Sequence, residues 1–524
     1  MARGATSSPG LARSADRSDG AKKPGNETAI PRVPIPKPPS RSPDGRPDME
    51  STPPPRLIAV IVASALFMEN IDSSVIATSL PVIARDIGAD PISLKLAFTA
   101  YLLSLAVFIP VSGWAADRFG ARTVFSCAIL VFTVGSIACG LSSSLEGFVV
   151  ARMVQGAGGA MMTPVGRLVV LRSAPKHQLV DLMAWLTTPA LIGPLIGPPL
   201  GGFISTYWHW RWIFWINIPV GVLGIVLALL FVPVVRAQEP PPFDATGFVL
   251  SGLGLSGLVF GFAVVGHGLV PVWVSTALLV AGALSMTGYV AHYRRAARPI
   301  LDLDLLKLAT FRASVVGGFT FRVAIGAIPF LLPLMLQLGL GMTAFQSGSL
   351  TFLSTAGALA MKFTVARIVR RFGFRRVLVY NGFLSALFVF AIGGFAFGLP
   401  TWVMILVLLT GGFFRSLLFT SLNVVAYADV SHEAMSSATS LSSVAQQVSL
   451  SCGVAIGALV LEILRAGSPT HSLTAHDFFV GFATVGTSAL IAPFIFARLP
   501  ADAGAHMARR TGEDEDEARP QAAQ

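Results

Sequence analysis

The sequence predicts an all-α membrane protein with fourteen transmembrane helices, and three observations predict it. Apolar residues make up 53% of the 524-residue chain and charged residues only 12%, about half the roughly 25% of a soluble domain. Apolar runs of about twenty residues, each long enough to cross a bilayer, recur from Leu57 to Ala497. Basic residues collect in alternate loops, as the positive-inside rule requires of cytoplasmic ones. The net charge of +11 is therefore read as loop charge facing the cytoplasm, and no nucleic-acid partner is expected.

Residues 1–56 hold ten Lys/Arg and twelve Pro with almost no large apolar side chains. Such a segment buries too little surface to offset chain entropy, so a disordered basic tail is expected. It lacks the apolar core of a cleaved signal. Spans then follow at 57–84, 96–116, 123–142, 147–171, 181–205 and 212–233, each an apolar run closed by a polar or Gly/Pro-containing break. Two more follow at 246–266 and 271–292. The last six are 312–338, 345–370, 375–398, 400–427, 436–463 and 477–497. Residues 499–524, with the acidic run Glu513–Glu517, form a second solvated tail.

Loop charges test this order independently. Loops expected inside carry Arg118/Arg122, Arg167/Arg172/Lys176, Arg236, Arg294/Arg295/Arg298/Lys307 and Arg367/Arg370/Arg371/Arg375/Arg376. Those outside carry only Arg85, Lys95, Arg211 and Arg465. The inward loop at 429–433 alone has no Lys or Arg. Both termini are accordingly placed in the cytoplasm. The aromatic run Tyr207–Trp215 falls at the outer interface, where an aromatic belt belongs. Cys127, Cys139 and Cys452 lie inside apolar runs, without the spacing of a disulfide framework or a metal site.

The chain has an internal echo. Gly113-Trp-Ala-Ala-Asp117-Arg118-Phe-Gly120-Ala-Arg122 follows the second span, and Arg367-Ile-Val-Arg370-Arg371-Phe-Gly373-Phe-Arg375-Arg376 follows the tenth. Two parallel six-helix bundles, 57–233 and 312–498, with a linker of two extra helices at 234–311, place these loops equivalently. Such halves are a transporter architecture with the substrate site between them.

Ionisable groups within the spans carry the functional signal, since each costs at least about 2.5–3.5 kcal/mol at a helix centre. Glu69 and Asp72, three apart, share a helical face, and Asp72 lies about 22 Å along its helix from Leu57. Burial favours a neutral carboxyl and opening to water favours an ionised one, which suits proton coupling. The alternative is a paired acid that only joins helices. Arg152 cannot deprotonate and needs an acid, carbonyls or water, as a fixed structural charge or as one that responds to a nearby protonation. Arg322 and Arg415 have no acid close in sequence; they either line the cavity and favour anionic groups or bond carbonyls and water. The run Gly193-Pro-Leu-Ile-Gly197-Pro198-Pro199-Leu-Gly201-Gly202 is expected to make a kinked, tightly packed helix. Among the lone amides Gln155, Asn217, Gln337, Asn423, Gln446 and Gln447, the Gln446-Gln447 pair is the best cavity candidate. No phosphate loop, nucleophile–base–orienter set or metal-ligand cluster is legible. Neither enzyme chemistry nor a cofactor is expected, and energy is left to an ion gradient.

These residues resemble a known family. The Gly113–Arg122 segment is similar to the signature loop of the major facilitator superfamily, and the Gly193–Gly202 run to the antiporter motif of its drug:proton antiporters. Arg152-x-x-Gln155-Gly156 resembles the fourth-helix motif. Asp72-Ser-Ser-Val-Ile-Ala-Thr-Ser-Leu80-Pro81 resembles the first-helix motif of the fourteen-helix branch, and Trp210–Pro219 its entry to the sixth helix. The resemblance spans 57–497. It implies the major facilitator fold and proton-coupled efflux of amphipathic compounds by alternating access in a plasma (cell inner) membrane. By the same resemblance Asp117 latches onto the start of the thirteenth helix near Ser436, Arg118 and Arg122 complete an inner charge cluster, and Arg152 answers to protonation. Ala121 departs from the family loop, which usually carries two basic residues after its second glycine. Cations or neutral molecules suit an apolar cavity with a few acids. A dedicated exporter or importer of one metabolite is the alternative. The partners implied are the bilayer, protons and small amphipathic substrates, with a periplasmic adaptor left open.

Overall fold

The computed structural model describes residues 54–173, 179–233, 242–264, 271–297, 299–431, 434–468, 473–500 and 503. The tails expected at 1–56 and 499–524 lie outside these residues apart from 54–56, 499, 500 and 503. The described chain is all helical in its regular structure. Its first half contains α1 (Pro55–Asp86), α2 (Lys95–Phe119), α3 (Ala121–Leu141), α4 (Leu145–Arg172), α5 (Leu179–Tyr207), the short α6 (Trp212–Trp215) and α7 (Asn217–Phe231). A pair, α8 (Ala245–Val264) and α9 (Val272–Tyr293), follows. The rest is α10 (Ala309–Arg312), α11 (Gly318–Leu334), α12 (Ala344–Lys362), α13 (Val365–Phe372), α14 (Phe374–Gly393), α15 (Thr401–Ala426), α16 (Met435–Gly467) and α17 (Ala475–Phe496).

Eleven of these segments are long and apolar enough to cross a membrane, with α12 and α13 a twelfth if taken as one bent span. Helices α4 and α5, 28 and 29 residues long, are not in that set. Helix α4 owes this to the Arg152–Gly159 stretch, which dilutes its apolar content. The expected span 345–370 is broken by a 61° bend. Beyond Lys362 the chain carries Arg367, Arg370 and Arg371 in one short helix, and hydrocarbon offers these charges no counter-charge or water.

Helix packing repeats between the halves. In the first, α1 packs on α5 and α7, α4 on α2 and α3, and α3 on α7. In the second, α11 packs on α16 and α17, α15 on α12 and α14, and α14 on α17. Under this correspondence the two most extensive contacts between the halves, α5 with α12 and α2 with α16, exchange places, while α1 also meets α11 and α12. Helices α8 and α9 pack on each other through glycines: a Cβ on Gly257 would meet the Gly282 backbone at 2.7 Å. Helix α8 then rests on α2 and α16, against the seam between the halves.

The two echoed segments are not loops. Residues 113–119 complete α2, Gly120 at φ +91° makes the turn, and Arg122 already lies in α3. Gly373 at φ +74° turns α13 into α14 in the same way. Both turns need a backbone conformation that disfavours a side chain. The expected aromatic belt is divided. Tyr207, Trp208 and Trp212 are exposed, whereas Trp210 is buried and donates from Nε1 to Asp86 at 2.9 Å.

Candidate functional site: a split set of intramembrane charges

Helix α1 carries both carboxylates, and the structure separates their roles. Asp72 and Arg152 are each 1% exposed and form an ion pair at 2.7 Å. The Arg152 Nη1 also donates to Gln155 Oε1 at 2.6 Å. Asp72 Oδ1 accepts from Gln155 Nε2 and Asn217 Nδ2, both at 2.9 Å. Asn217 further donates to Ser136 Oγ at 2.9 Å, and the guanidinium lies 4.2 Å from the Tyr101 ring centre. Residues of α4 and α7 thus bond the carboxylate of α1, and Ser136 of α3 joins the network through Asn217 and Gln155. The reading of Asp72 as a cavity acid gives way to the paired alternative: a buried ionised carboxyl is tenable only with such partners, and here it has three.

Glu69, one turn away, is half-buried and accepts from Thr163 Oγ1 of α4 at 2.9 Å. It has no ion-pair partner among the described residues. In the second half the charges are basic. Arg322 of α11 is buried and donates to Ser314 O at 3.3 Å and Asn423 Oδ1 at 3.2 Å. Arg415 of α15 is half-buried and donates to Ser354 Oγ of α12. Gln446 and Gln447 stay half-buried on α16, which packs between α11 and α2. Gln337 has another task, donating across the halves to Thr78 O at 2.8 Å.

The proline-rich helix α5 remains one helix and packs tightly along α1. A Cβ on Gly193 would meet Asn70 Cβ at 3.0 Å, and one on Gly197 or Gly201 would collide with Ser74 or the Val75 carbonyl. Hydroxyls of α1 donate across this contact: Thr78 to Pro198 O at 3.2 Å and Ser79 to Gly201 O at 3.3 Å. Gly202 approaches the backbone of Ala344 at the start of α12, so the motif joins the halves as well as the helices of one half.

That joining occurs at the end of the bundle where α1 meets α2. Lys95 of α2 pairs with Glu462 of α16 at 3.2 Å, and Asp90 pairs with Arg465. The Phe345 amide donates to Thr206 Oγ1 at 3.1 Å, with Phe203 and Tyr207 packed on the Phe345 ring. At the opposite end, where α2 turns into α3, the seam is parted. Gly113 has nothing within 4 Å of a notional Cβ, and Ser436 at the start of α16 is exposed. Asp117 pairs with Arg172 of α4 at 2.7 Å, inside its own half, in place of the expected contact near Ser436. Arg118 is exposed, and Arg122 donates to Leu229 O at 3.3 Å.

Sequence reasoning missed the Lys95–Glu462 pair. Lys95 reads as a loop residue, and the acid within the thirteenth span, Glu462, goes unremarked, although an acid one residue inside the span's end asks for a cation.

Parallel halves of equivalent helices, closed on each other at one end and parted at the other, define a secondary-transporter architecture. The Major Facilitator Superfamily model matches residues 62–454, and the chain belongs to that family. A relative from Klebsiella pneumoniae subsp. pneumoniae, provisionally named as a multidrug resistance protein, MdtD, is 38% identical over 461 residues, covering 86% of this chain and 96% of the relative. Its namesake in Escherichia coli O157:H7 is 37% identical over 450 residues, covering 84% and 94%. Among solved structures, a D-xylose–proton symporter aligns with a TM-score of 0.61 at 14% identity, covering 86% of this chain and 98% of the other. The peptide-family transporter PepTSo aligns at 0.64 with 15% identity, covering 85% and 97%. These structural likenesses establish the fold.

Proposed function

We propose that the chain is a proton-coupled exporter of amphipathic organic compounds that works by alternating access. The observation that carries this reading is the contrast between the two carboxylates of α1. Asp72 is paired with Arg152 and bonded by Gln155 and Asn217, while Glu69 is half-buried with a single hydrogen-bond partner, Thr163. A group that must gain and lose a proton each cycle needs access to water in at least one state, and of the two acids Glu69 is the one that is not fully enclosed. Coupling therefore moves from Asp72 to Glu69, with Asp72–Arg152 fixing the geometry around it. The relatives named for multidrug resistance support the substrate class, and the proton gradient is the energy source.

Topology belongs to the same proposal. Helix α4 lies between α2 and α3, and α5 between α1 and α12, so both run through the body with their neighbours. Adding them to the eleven helices and the bent α12–α13 pair gives fourteen spans. The bundles are 57–233 and 312–498, with 234–311 between them, in a plasma membrane with both termini cytoplasmic. The parted end carries Arg118, Arg122, Arg172, Arg367 and Arg371, which faces it inward. The described state is then closed outside and open inside.

The test is export from proteoliposomes under an imposed pH gradient. Glu69→Gln should still exchange saturating substrate across the membrane, at weakened affinity, yet fail to accumulate it against a gradient. Accumulation equal to wild type would remove Glu69 from the coupling role.

A further inference from the structure

The intramembrane charges are distributed unevenly between the halves. In the first half the cation Arg152 has its acid, Asp72, and across the closed end Lys95 has Glu462. Glu69 forms no ion pair among the described residues, and Arg167 of α4 is the cation that acts on it from a distance. In the second half Arg322 and Arg415 are left without an acid: their acceptors are Ser314 O, Asn423 Oδ1 and Ser354 Oγ, all neutral. The Nε–H of Arg322, buried, has no acceptor among the described residues. Both arginines belong to one wall. Arg415, Phe419 and Asn423 repeat at i, i+4 and i+8 on α15 and so share a face. Phe419 lies 5.7 Å from the Arg322 guanidinium and Asn423 bonds it.

Depth can be reckoned from the contact that joins the halves. Thr78 bonds Pro198, whose carbonyl adjoins Gly348, and Gln337 bonds Thr78; these residues share one level. Ser354, which holds Arg415, is six residues along α12 from Gly348, about 9 Å at 1.5 Å per residue. Glu69 is nine residues from Thr78 along α1, about 14 Å. Arg322 is fifteen residues from Gln337 along α11, about 22 Å. The lone acid therefore sits at a depth between the two lone arginines, on the opposite half, with axial offsets that long side chains span.

Resting on the exporter reading above, we propose that the substrate is an amphipathic zwitterion, an apolar body bearing both an ammonium and a carboxylate or similar anion. Its anionic group docks on Arg415, in the wall that buried Arg322 shares through Phe419 and Asn423, and its ammonium docks on Glu69. The arrangement also explains how antiport follows. A substrate ammonium and a proton compete for the same carboxylate, so each displaces the other. A purely anionic substrate would favour a protonated Glu69 and travel with the proton, not against it. The arginines supply the anchor that a single acid cannot, and a guanidinium fork suits a carboxylate geometrically.

Three matched probes test this. Nε-dansyl-lysine carries both charges, dansylcadaverine is the same molecule without the carboxylate, and N-dansyl-6-aminohexanoate keeps a carboxylate without the amine. Binding to the full chain in nanodiscs is read by dansyl fluorescence. The zwitterion should bind at least about tenfold tighter than either single-charge probe (about 1.4 kcal/mol). Arg415→Gln should reduce the zwitterion's affinity to that of dansylcadaverine and leave dansylcadaverine unchanged, while Arg415→Lys retains part of the preference. Equal affinity of wild type for dansyl-lysine and dansylcadaverine would overturn the inference, and needs no variant to fold. So would an Arg415→Gln variant that weakens both probes alike. Export of dansylcadaverine driven by a pH gradient, with no zwitterion preference, would sink this inference and leave the exporter reading standing. Absence of pH-driven export for every probe would sink the exporter reading itself.

Discussion

The closed end of the bundle offers a direct test of alternating access through Glu462→Gln. Lys95 is 0% exposed and Glu462 11% at their side chains, 3.2 Å apart across the two halves. Glutamine preserves shape and hydrogen bonding but leaves the buried ammonium without its counter-charge. Breaking one side of a buried pair costs about 3–5 kcal/mol; the lower figure applies here, because Glu462 touches solvent. At about 1.4 kcal/mol per decade, 3 kcal/mol moves the closed-to-open ratio by roughly 100-fold. The opened state does not bear this cost, since water reaches Lys95 there. The assay is maleimide labelling of Ser93→Cys, a buried position beside Asp90, with Cys127, Cys139 and Cys452 replaced by serine. Labelling by a membrane-impermeant reagent from outside should accelerate by one to two orders of magnitude in Glu462→Gln. The paired change Lys95→Met with Glu462→Leu should restore slow labelling, because an apolar pair can replace an ion pair at little cost. An unchanged labelling rate at normal abundance would refute the idea that this pair holds the end shut.

Further outcomes follow from the geometry. Asp72→Asn strips Arg152 of its counter-charge and should lower stability by about 3–5 kcal/mol, seen as lost yield and melting temperature, whereas Glu69→Gln should melt like wild type. Gly201→Val should prevent folding by driving a side chain into the Val75 carbonyl. Gly113→Ala, facing open space, should fold normally but slow transport, because its clash arises only when the parted end closes. Asp244 caps α8 through the Gly247 amide at 2.8 Å and meets His292 at 2.7 Å; burial pushes its carboxyl up, but these bonds and the Ile300 amide outweigh that and hold it below its usual 3.8. Its stabilisation is then complete above pH 3.8 and lost as pH falls through the lower folded value. Asp244→Ala should cost about 1 kcal/mol in melts at pH 6–8, with the difference shrinking below pH 4.

The helices were legible because length and apolarity are local properties, and the antiporter motif because close helix approach demands glycine wherever backbones touch. Gly193, Gly197 and Gly201 fall on the face that meets α1 for that reason alone. Partners were less legible. Asp72 and Arg152 are eighty residues apart, and nothing in either segment says which of Asp72 and Glu69 turns toward the arginine. A three-residue offset rotates a side chain by about 60° from its predecessor's direction at 3.6 residues per turn, enough to place one acid in the core and the other beside Thr163. Lys95 and Glu462, 367 residues apart, had no mutual signal at all. The Asp117 contact was obscured differently. The structure shows Asp117 with Arg172 of its own half, a partner fifty-five residues away that the motif's local sequence does not indicate.

These separations bear on how the halves communicate. Asp72 draws α1, α3, α4 and α7 onto one point, and that point sits one turn from Glu69 on the same helix. Helix α1 is also the helix that α5 grips along its glycine face, and α5 in turn abuts α12 through Gly202 and Gly348. A change at Glu69 therefore acts on a rigid first half, because the Asp72 network gives its helices no independent freedom. The response has to appear where that half meets the other: the α5–α12 contact and the α2–α16 contact. The second of these runs from the Lys95–Glu462 pair at one end to Gly113 and Ser436 at the other, and on the proposed reading closing one end opens the other along the same two helices. On the proposed reading, the buried ion pair of the first half is a brace between its helices, and the proton is carried by the neighbouring acid.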